Sequence, residues 1–287
     1  MVLNQVSKGL FFRNVAIIVS KKDPAGLNIK RALLENYDFA EQGSFKGEKT
    51  FLFKNNSFLA RIYTINEECV HANNIDAEIG AELLVFATKH KSSSKIPSLT
   101  AHSPGNFGRA ELGGFERKLC LSPAFYIKQA VKELFALNTI NYDVVQEVTH
   151  HGPFVEKPVF FIEIGSSEEE WKNPEAGSIV ARALMNTLSK ENFDFESAIG
   201  IGGLHTMPNF KKIILNTNIA LGHVCAKYNL EELDFEILEQ AYERTIPAPK
   251  KLIIDWKGLG NFKEKVSELS NDFSLKYDVE ILKTKKF

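Results

Sequence analysis

The sequence is short of several things that would class it at once. Only three of its 287 residues are cysteine (Cys69, Cys120 and Cys225), and they lie far apart with no CxxC pair. That excludes a disulfide framework and an all-cysteine zinc site, and it fits a reducing, cytoplasmic setting. The apolar run in MVLNQVSKGLFFRNVAIIVS is too short to span a bilayer and has no small-residue cleavage site. Neither a membrane span nor a signal peptide is expected. The formal net charge of −1 excludes a global basic field, so a nucleic-acid partner has to be gripped by a local patch. GxSxG, HExxH and P-loop motifs are absent, as are internal repeats and low-complexity segments. Gly200-Ile201-Gly202-Gly203 lacks the GxGxxG spacing of a dinucleotide fingerprint, and the HTMPNF after it is a poor helix start. It reads better as a close-approach turn whose N–H groups face a phosphate or an oxyanion.

What the chain does contain is an alternation of strands and helices. Hydrophobic residues make up 44% and charged residues 25%, ordinary values for a globular protein. Val15–Val19 is a buried strand, and Asp23-Pro24 caps and starts a helix running to Asn36. Strands follow at 51–53, 58–65 and 81–88, with an Asn55-Asn56 turn between the first two. Residues 89–118 carry Pro97, Pro104 and four glycines, and read as a long functional loop. A helix from Ser122-Pro123 to about Asn138 leads to strands at 142–148 and 159–164. The acidic triplet Glu168–Glu170 reads as a solvated helix start, and 174–188 as an amphipathic helix. Strands are expected at 197–201, 212–215, 251–256 and 277–282, with helices at 233–244 and 262–273. The pattern predicts an α/β fold over residues 1–287, one domain with a single mixed, mostly parallel sheet and helices on both faces.

The polar chemistry collects at strand ends. Of seven histidines only His71 lies outside a Gly- or Pro-containing polar turn; His90, His102, His150, His151, His205 and His223 fall just past strands or in adjoining loops. In a largely parallel sheet the ends bearing His90, His150 and His205 face one way and converge on a crevice. Polar residues in polar loops would read the same at any one position, but a group of imidazoles is what ligates metal or shuttles protons near neutral pH. Glu163 sits in the apolar strand FFIEIG, where burial demands a histidine, a metal or backbone donors; on an edge strand it would simply face water. Glu147 is a weaker instance of the same thing. Lysines gather at Lys89, Lys91 and Lys95, at Lys211 and Lys212, and at Lys283, Lys285 and Lys286, as an enzyme gripping an RNA end would need.

Five blocks carry a resemblance: DPAGLNIK at 23–30, ATKHKSSSKIPSLTAHSPGNFG at 87–108, EVTHHGPFVEKPVFFIEIGSSEEEW at 147–171, GIGGLHTMPNF at 200–210 and LGHVCAKY at 221–228. Together they resemble the archaeal and plant type of D-aminoacyl-tRNA deacylase. The resemblance implies a fold similar to peptidyl-tRNA hydrolase and phosphorylase folds. It also implies hydrolysis of the ester between a D-amino acid and the 3′ acceptor end of tRNA, two zinc ions per chain, a monomer, and no DNA or membrane partner. The family pattern usually has a Tyr where Thr206 stands here, so substrate range is expected to differ.

From these readings we expect catalytic roles for His151, His205 and Glu163. Zinc is expected on His90, His150, His151 and Glu163, and substrate contacts from Lys89, His102, Asn106, Gly202 and Gly203. Backbone donors at Gly202-Gly203, or His205, would stabilise the oxyanion. A route without catalytic metal, in which a histidine activates water, fits the same residues. So do a peptidyl-tRNA hydrolase-like esterase and a non-catalytic tRNA-binding module.

Overall fold

The structure is a computed structural model that describes residues 11–287. The first ten residues, on which the reading of no signal peptide partly rests, lie outside it. Strand β1 (Asn14–Ser20) is β-branched and almost wholly buried, as befits a strand with parallel neighbours on both sides. Helix α1 (Pro24–Asn36) begins as read: Pro24 opens it and the Asp23 carboxylate accepts the Gly26 N–H at 2.9 Å. β2 (Ala40–Phe45), β3 (Glu48–Lys54) and β4 (Leu59–Ile65) form an antiparallel meander. β2 has no apolar face because it is the exposed outer edge, which is why its sequence carries no strand signal.

The segment expected as one long loop is not all loop. β5 (Leu83–Lys91) runs through His90, and Ser98–His102 forms β6, an interior strand buried on both faces. Its period-two pattern is Leu99 and Ala101 against Ser98, Thr100 and His102. The polar set is buried too, so the strand looks like loop composition. β7 (Ser122–Pro123), α2 (Ala124–Leu137), β8 (Asp143–Gln146) and β9 (Val159–Ser166) follow, then α3 (Glu168–Lys172) and α4 (Pro174–Leu188). The acidic triplet does open a helix, in a capping box between Ser167 and Glu170.

The last third brings further corrections. After β10 (Glu196–Ile201), the stretch read as a strand at 212–215 is helix α5 (Lys211–Asn216). Four apolar-leaning residues are too few for periodicity to separate helix from strand. Residues 221–223, read as loop, lie inside β11 (Ile219–Cys225). Then come α6 (Phe235–Glu243), β12 (Thr245–Ile246), β13 (Lys251–Ile254), α7 (Lys263–Tyr277) and β14 (Glu280–Lys283).

The α/β class and the large, mixed, mostly parallel sheet are as expected. That sheet has eight strands in the order β2-β3-β4-β1-β5-β9-β6-β8. The strands of the last third do not join it: four form a parallel sheet, β11-β10-β13-β14, and β12 pairs with β7. Helices do not cover both faces of the large sheet either. α1, α2 and α4 pack on one face. The other face, around Ile18, Phe86 and Phe161, is covered by 3₁₀ turns near Cys69 and Ile75 and by Phe154. Helix α2 lies between the two sheets, touching β6 and β8 on one side and β11 on the other. No helix of the described residues is long and apolar enough to cross a membrane.

The junction is pinned by Lys128. Fully buried on α2, it donates to the carbonyls of Ile214 at 2.8 Å and of Thr217 and Ile219 at 2.7 Å each. Burial pulls its pKa down to about 7, and the like charge of Lys132 adds to this. The three carbonyls pull the other way, because only the ammonium form has three N–H to give. Geometry favours that form. Lys128→Met is expected to leave buried carbonyls unpaired and to cost about 2–4 kcal/mol in urea unfolding at pH 7; a loss below about 0.5 kcal/mol would show that the junction does not depend on it.

Candidate active site

Period two builds the site. In the register of the large sheet, Thr88 of β5 and Thr100 of β6 lie opposite Glu163 of β9, His102 lies opposite Phe161, and His90 opposite Gly165. Val145 of β8 pairs with Thr100, so Glu147, two residues on, joins the same face. β6 and β8 run antiparallel to β9. The histidines therefore meet across one face of the sheet, not at the ends of parallel strands as expected. Gly165 is where His90 needs room: a Cβ there would lie 2.7 Å from His90 Cδ2 and 2.5 Å from Ser98 Oγ.

Beyond β8 the chain turns through His150 and His151, the latter at φ 43°, a left-handed conformation costly for a side chain of this size. His150 Nδ1 donates to the Val148 carbonyl at 2.9 Å, His151 Nδ1 to that of Gly152 at 2.6 Å, and His102 Nδ1 to that of Ser103 at 3.1 Å. A carbonyl can only accept, so each Nδ1 carries its proton, and each Nε2 has a lone pair to offer whenever its ring is neutral. His102 Nε2 is buried without a hydrogen-bond partner.

Glu147 is the hub. His205 Nε2 lies 2.9 Å from its Oε2 and His150 Nε2 3.6 Å, while His90 Nδ1 is 3.2 Å from its Oε1. Glu163 takes the Thr88 hydroxyl at 2.6 Å and the Thr100 hydroxyl at 3.4 Å, with His102 Nε2 at 3.6 Å. Burial would raise both carboxyls, but their imidazole partners outweigh it: His205 and His90 hold Glu147 well below its usual range, and His102 holds Glu163 below. Burial would likewise depress His90, yet the hydrogen bond and charge of Glu147 push it up to about 9. His102 is raised against the same burial penalty by Glu163. Burial, and then the charge of His102, drives His150 well down and His151 to about 4. Three sets bring their ligand atoms within 4.8 Å of one another: His102, His150 and His151; His90, Glu147 and His205; and His102, Glu147 and Glu163.

The cluster floors a cavity of about 500 Å³, also lined by Asp23, Glu68, Cys69, Lys89 and Leu112. No primed nucleophile stands among these neighbours. Ser20 gives its hydrogen to the Glu67 carbonyl and Thr88 gives its own to Glu163. The Cys69 thiol is pushed well above its ordinary value, by burial first and the charge of Asp23 next.

Of the expected site residues, His90, His150, His151, His205, Glu163 and Lys89 line this cavity. His102 lies beneath them with no exposure, so it meets the cluster and not a substrate. Asn106 spends its amide on the carbonyls of Gly113 and Phe115, bracing the loop above, and is not a cavity residue. The Gly202 N–H is given to the Cys225 carbonyl and the Gly203 carbonyl takes the Lys227 N–H, and neither glycine lines this cavity. His223 is a core residue, bonded to Thr149 at 3.1 Å and to the Cys120 carbonyl at 2.8 Å. Glu147, the residue we undervalued, was marked only by alternation along 142–148. Lys211 pairs with Asp143 and Lys286 with Glu280, and Lys212, Lys283 and Lys285 are exposed.

A family model described as D-aminoacyl-tRNA deacylase matches residues 77–278. Relatives bearing that name include a Pyrococcus furiosus protein, 36% identical over 91% of this chain and 98% of its own length. A Thermococcus kodakarensis relative is 37% identical over 84% and 90%, and an Archaeoglobus fulgidus one 34% over 94% and 96%. Among solved structures, a crystal structure of a conserved protein of unknown function superposes with a TM-score of 0.86 at 33% identity, covering 96% of each chain.

Two predictions follow from the geometry. Gly165→Ala drives a methyl into His90, and is expected to cut kcat/KM at least tenfold while circular dichroism stays native; full activity would deny that His90 needs its position. For His223, burial draws the pKa down to about 4 against about 6.5 unfolded. The unfolded state takes up the proton first, so this contribution is lost as pH falls from about 6.5 to 4, by up to about 3 kcal/mol. His223→Gln is expected to flatten the stability profile over that window; an unchanged slope counts against it.

Proposed function

This chain belongs to the D-aminoacyl-tRNA deacylase family, and from that premise we propose that it hydrolyses the ester joining a D-amino acid to the 3′ end of tRNA, with zinc held in the His/Glu cluster. The observation that carries the reading is the set of five histidines and two buried glutamates at the floor of a cavity large enough for an aminoacyl group. With no side-chain nucleophile primed, water is the nucleophile such a site serves.

The donor set fits zinc. It is made of imidazole nitrogens and carboxylate oxygens, three of the imidazoles are oriented by Nδ1–H to backbone carbonyls, and His102 Nε2 is a buried nitrogen without a hydrogen-bond partner. His102, His150 and His151 would hold one ion; His90, Glu147 and His205 would hold a second. Bound zinc supplies Lewis acidity, lowering the pKa of water toward 7 and polarising an ester carbonyl.

The remaining chemistry falls to this chain's own groups. Glu163 is left unligated by these two sets and lines the cavity, with Thr88 and Thr100 fixing its carboxylate. It takes a proton from the attacking water. As the tetrahedral intermediate collapses and the ester C–O bond breaks, it returns that proton to the leaving ribose oxygen. Lys89 Nζ brings positive charge to the developing oxyanion. Burial of the floor keeps bulk water from competing.

One preparation offered D-tyrosyl-, L-tyrosyl- and peptidyl-tRNA is expected to prefer the first at least tenfold; a preference for the peptidyl substrate would favour the peptidyl-tRNA hydrolase-like alternative. Metal analysis is expected to give two zinc ions per chain, falling to about one in His102→Ala. Glu163→Gln should keep its zinc and lose about 10²–10⁴ in kcat. Full activity at substoichiometric metal would sink the zinc assignment alone.

A further inference from the structure

A second cavity, of about 470 Å³, adjoins the first, and His90, Lys91 and His205 line both. The two differ in character. The first has a buried part, with Ser20, Cys69, Thr88 and Phe161 at no more than 4% exposure, and its exposed lining is Glu68, Lys91 and Leu112. Its carboxylates are Asp23, Glu68 and Glu163, the last already taking the Thr88 and Thr100 hydroxyls. Asp23 is committed to the backbone N–H groups of Gly26 and Lys89, whereas Glu68 has only the Lys89 ammonium at 3.7 Å. The second cavity is bounded by exposed chain: Lys91, the serines 92–94, Ile96 at 58% exposure and Leu204 at 64%. Lys91 is exposed beside it, as is Lys95 in the same loop, and its one carboxylate, Asp143, is already paired with Lys211.

A substrate ester has two unlike ends. One is an amino acid, finite in size and bearing an ammonium. The other is a nucleoside that continues into a polyanion and has to leave the protein through an open side. We infer that the cluster divides its substrate between the two cavities. The open one receives the 3′-terminal nucleoside of an RNA, its base lying against Ile96 and Leu204 and its phosphate near Lys91 and Lys95. The closed one receives the aminoacyl group, its ammonium at Glu68 and its side chain toward Leu112. Exposed apolar side chains beside lysines are what a single-stranded RNA end stacks and pairs on. The inference rests on the ester-hydrolase reading above, and it adds which side of the cluster each half of the substrate occupies.

The test sets amino-acid choice against RNA binding. Kinetics are measured on D-tyrosyl-tRNA and D-alanyl-tRNA for Leu204→Ala, Ile96→Ser and Leu112→Ala. The first two are expected to raise KM at least fivefold for both substrates by a common factor, with kcat within threefold. Leu112→Ala is expected to change the tyrosyl-to-alanyl ratio of kcat/KM at least fivefold. The reverse pattern, or no effect of Leu204→Ala and Ile96→Ser on either substrate, overturns the assignment. Binding of a fluorescent hexanucleotide RNA ending in 3′-adenosine gives a readout free of turnover. Its Kd should rise at least fivefold in Leu204→Ala and stay within twofold in Leu112→Ala; equal losses in both overturn the inference. A parent protein that binds this RNA but cleaves no D-aminoacyl-tRNA refutes the hydrolase reading and leaves the nucleoside assignment to the binding result.

Discussion

Everything in this molecule answers to two carboxylates buried in a sheet. Glu147 and Glu163 are 1% and 3% exposed, in a layer otherwise made of Phe86, Phe161 and Ile18. An ionised carboxylate in such a place is untenable unless positive charge and hydrogen bonds come with it. The fold supplies both, in the threonine hydroxyls on Glu163 and the imidazoles on Glu147. Without metal, the positive charge has to be protons on His90 and His102, and both are shifted upward accordingly. His150 and His151 cannot share that role, because burial first and the charge of His102 next drive their pKa values down and hold them neutral. One group of histidines is thus ready as lone pairs and another carries exchangeable protons. That division suits a site where metal and proton compete for the same compensating task.

Holding five imidazoles against two carboxylates requires scaffolding from distant sequence. Asp23 caps α1 with one oxygen and ties the Lys89 amide with the other, so the DPAG turn fixes the end of β5. Gly26 lets that turn press on the Ala87 carbonyl, where a Cβ would stand 2.5 Å away. Trp171, at the start of the α3–α4 corner, donates to the His90 carbonyl at 3.0 Å. The small sheet delivers the remaining imidazole. His205 follows the Gly202-Gly203 turn after β10, and its carbonyl accepts the Val148 N–H at 3.1 Å. The Thr149 N–H likewise reaches Val224 of β11. The two sheets are therefore stitched through the segment that carries His150 and His151, and Lys128 holds the helix between them.

Much of this was legible because the signals were local. The Asp-Pro start of α1 and the span of α4 could be read from caps and period, and the THHGP and FFIEIG blocks announced themselves by composition. What escaped depends on neighbours far along the chain. β6 read as loop since its polar face is buried as well as its apolar one, Thr100 and His102 lying against Glu163, so its Ser, Thr and His gave no apolar signal. β2 escaped for the opposite reason, being exposed on nearly every residue. Glu147 was undervalued since the residues that make it a hub come from β5, from the turn after it and from the other sheet. Asn106, Gly202 and Gly203 looked functional because turn and loop residues usually are. Their hydrogen bonds are spent on the scaffold, and no local pattern tells the two uses apart.

The same electrostatics bear on how an RNA is met. With a net charge of −1 the chain as a whole draws no polyanion. Around the cavities, attraction comes from Lys89 and Lys91, which line them, and from the exposed Lys95 of the same loop, each acting over a Debye length of about 8 Å. Two uncompensated carboxylates beneath that patch would oppose it, and in a low-dielectric floor their repulsion of a phosphate or of an oxyanion would be large. Compensation by imidazolium or metal removes that repulsion and can reverse its sign. Charge balance at Glu147 and Glu163 therefore sets two properties at once: whether the sheet can fold with those residues inside it, and whether the finished cavity tolerates the negative charge that ester hydrolysis develops there.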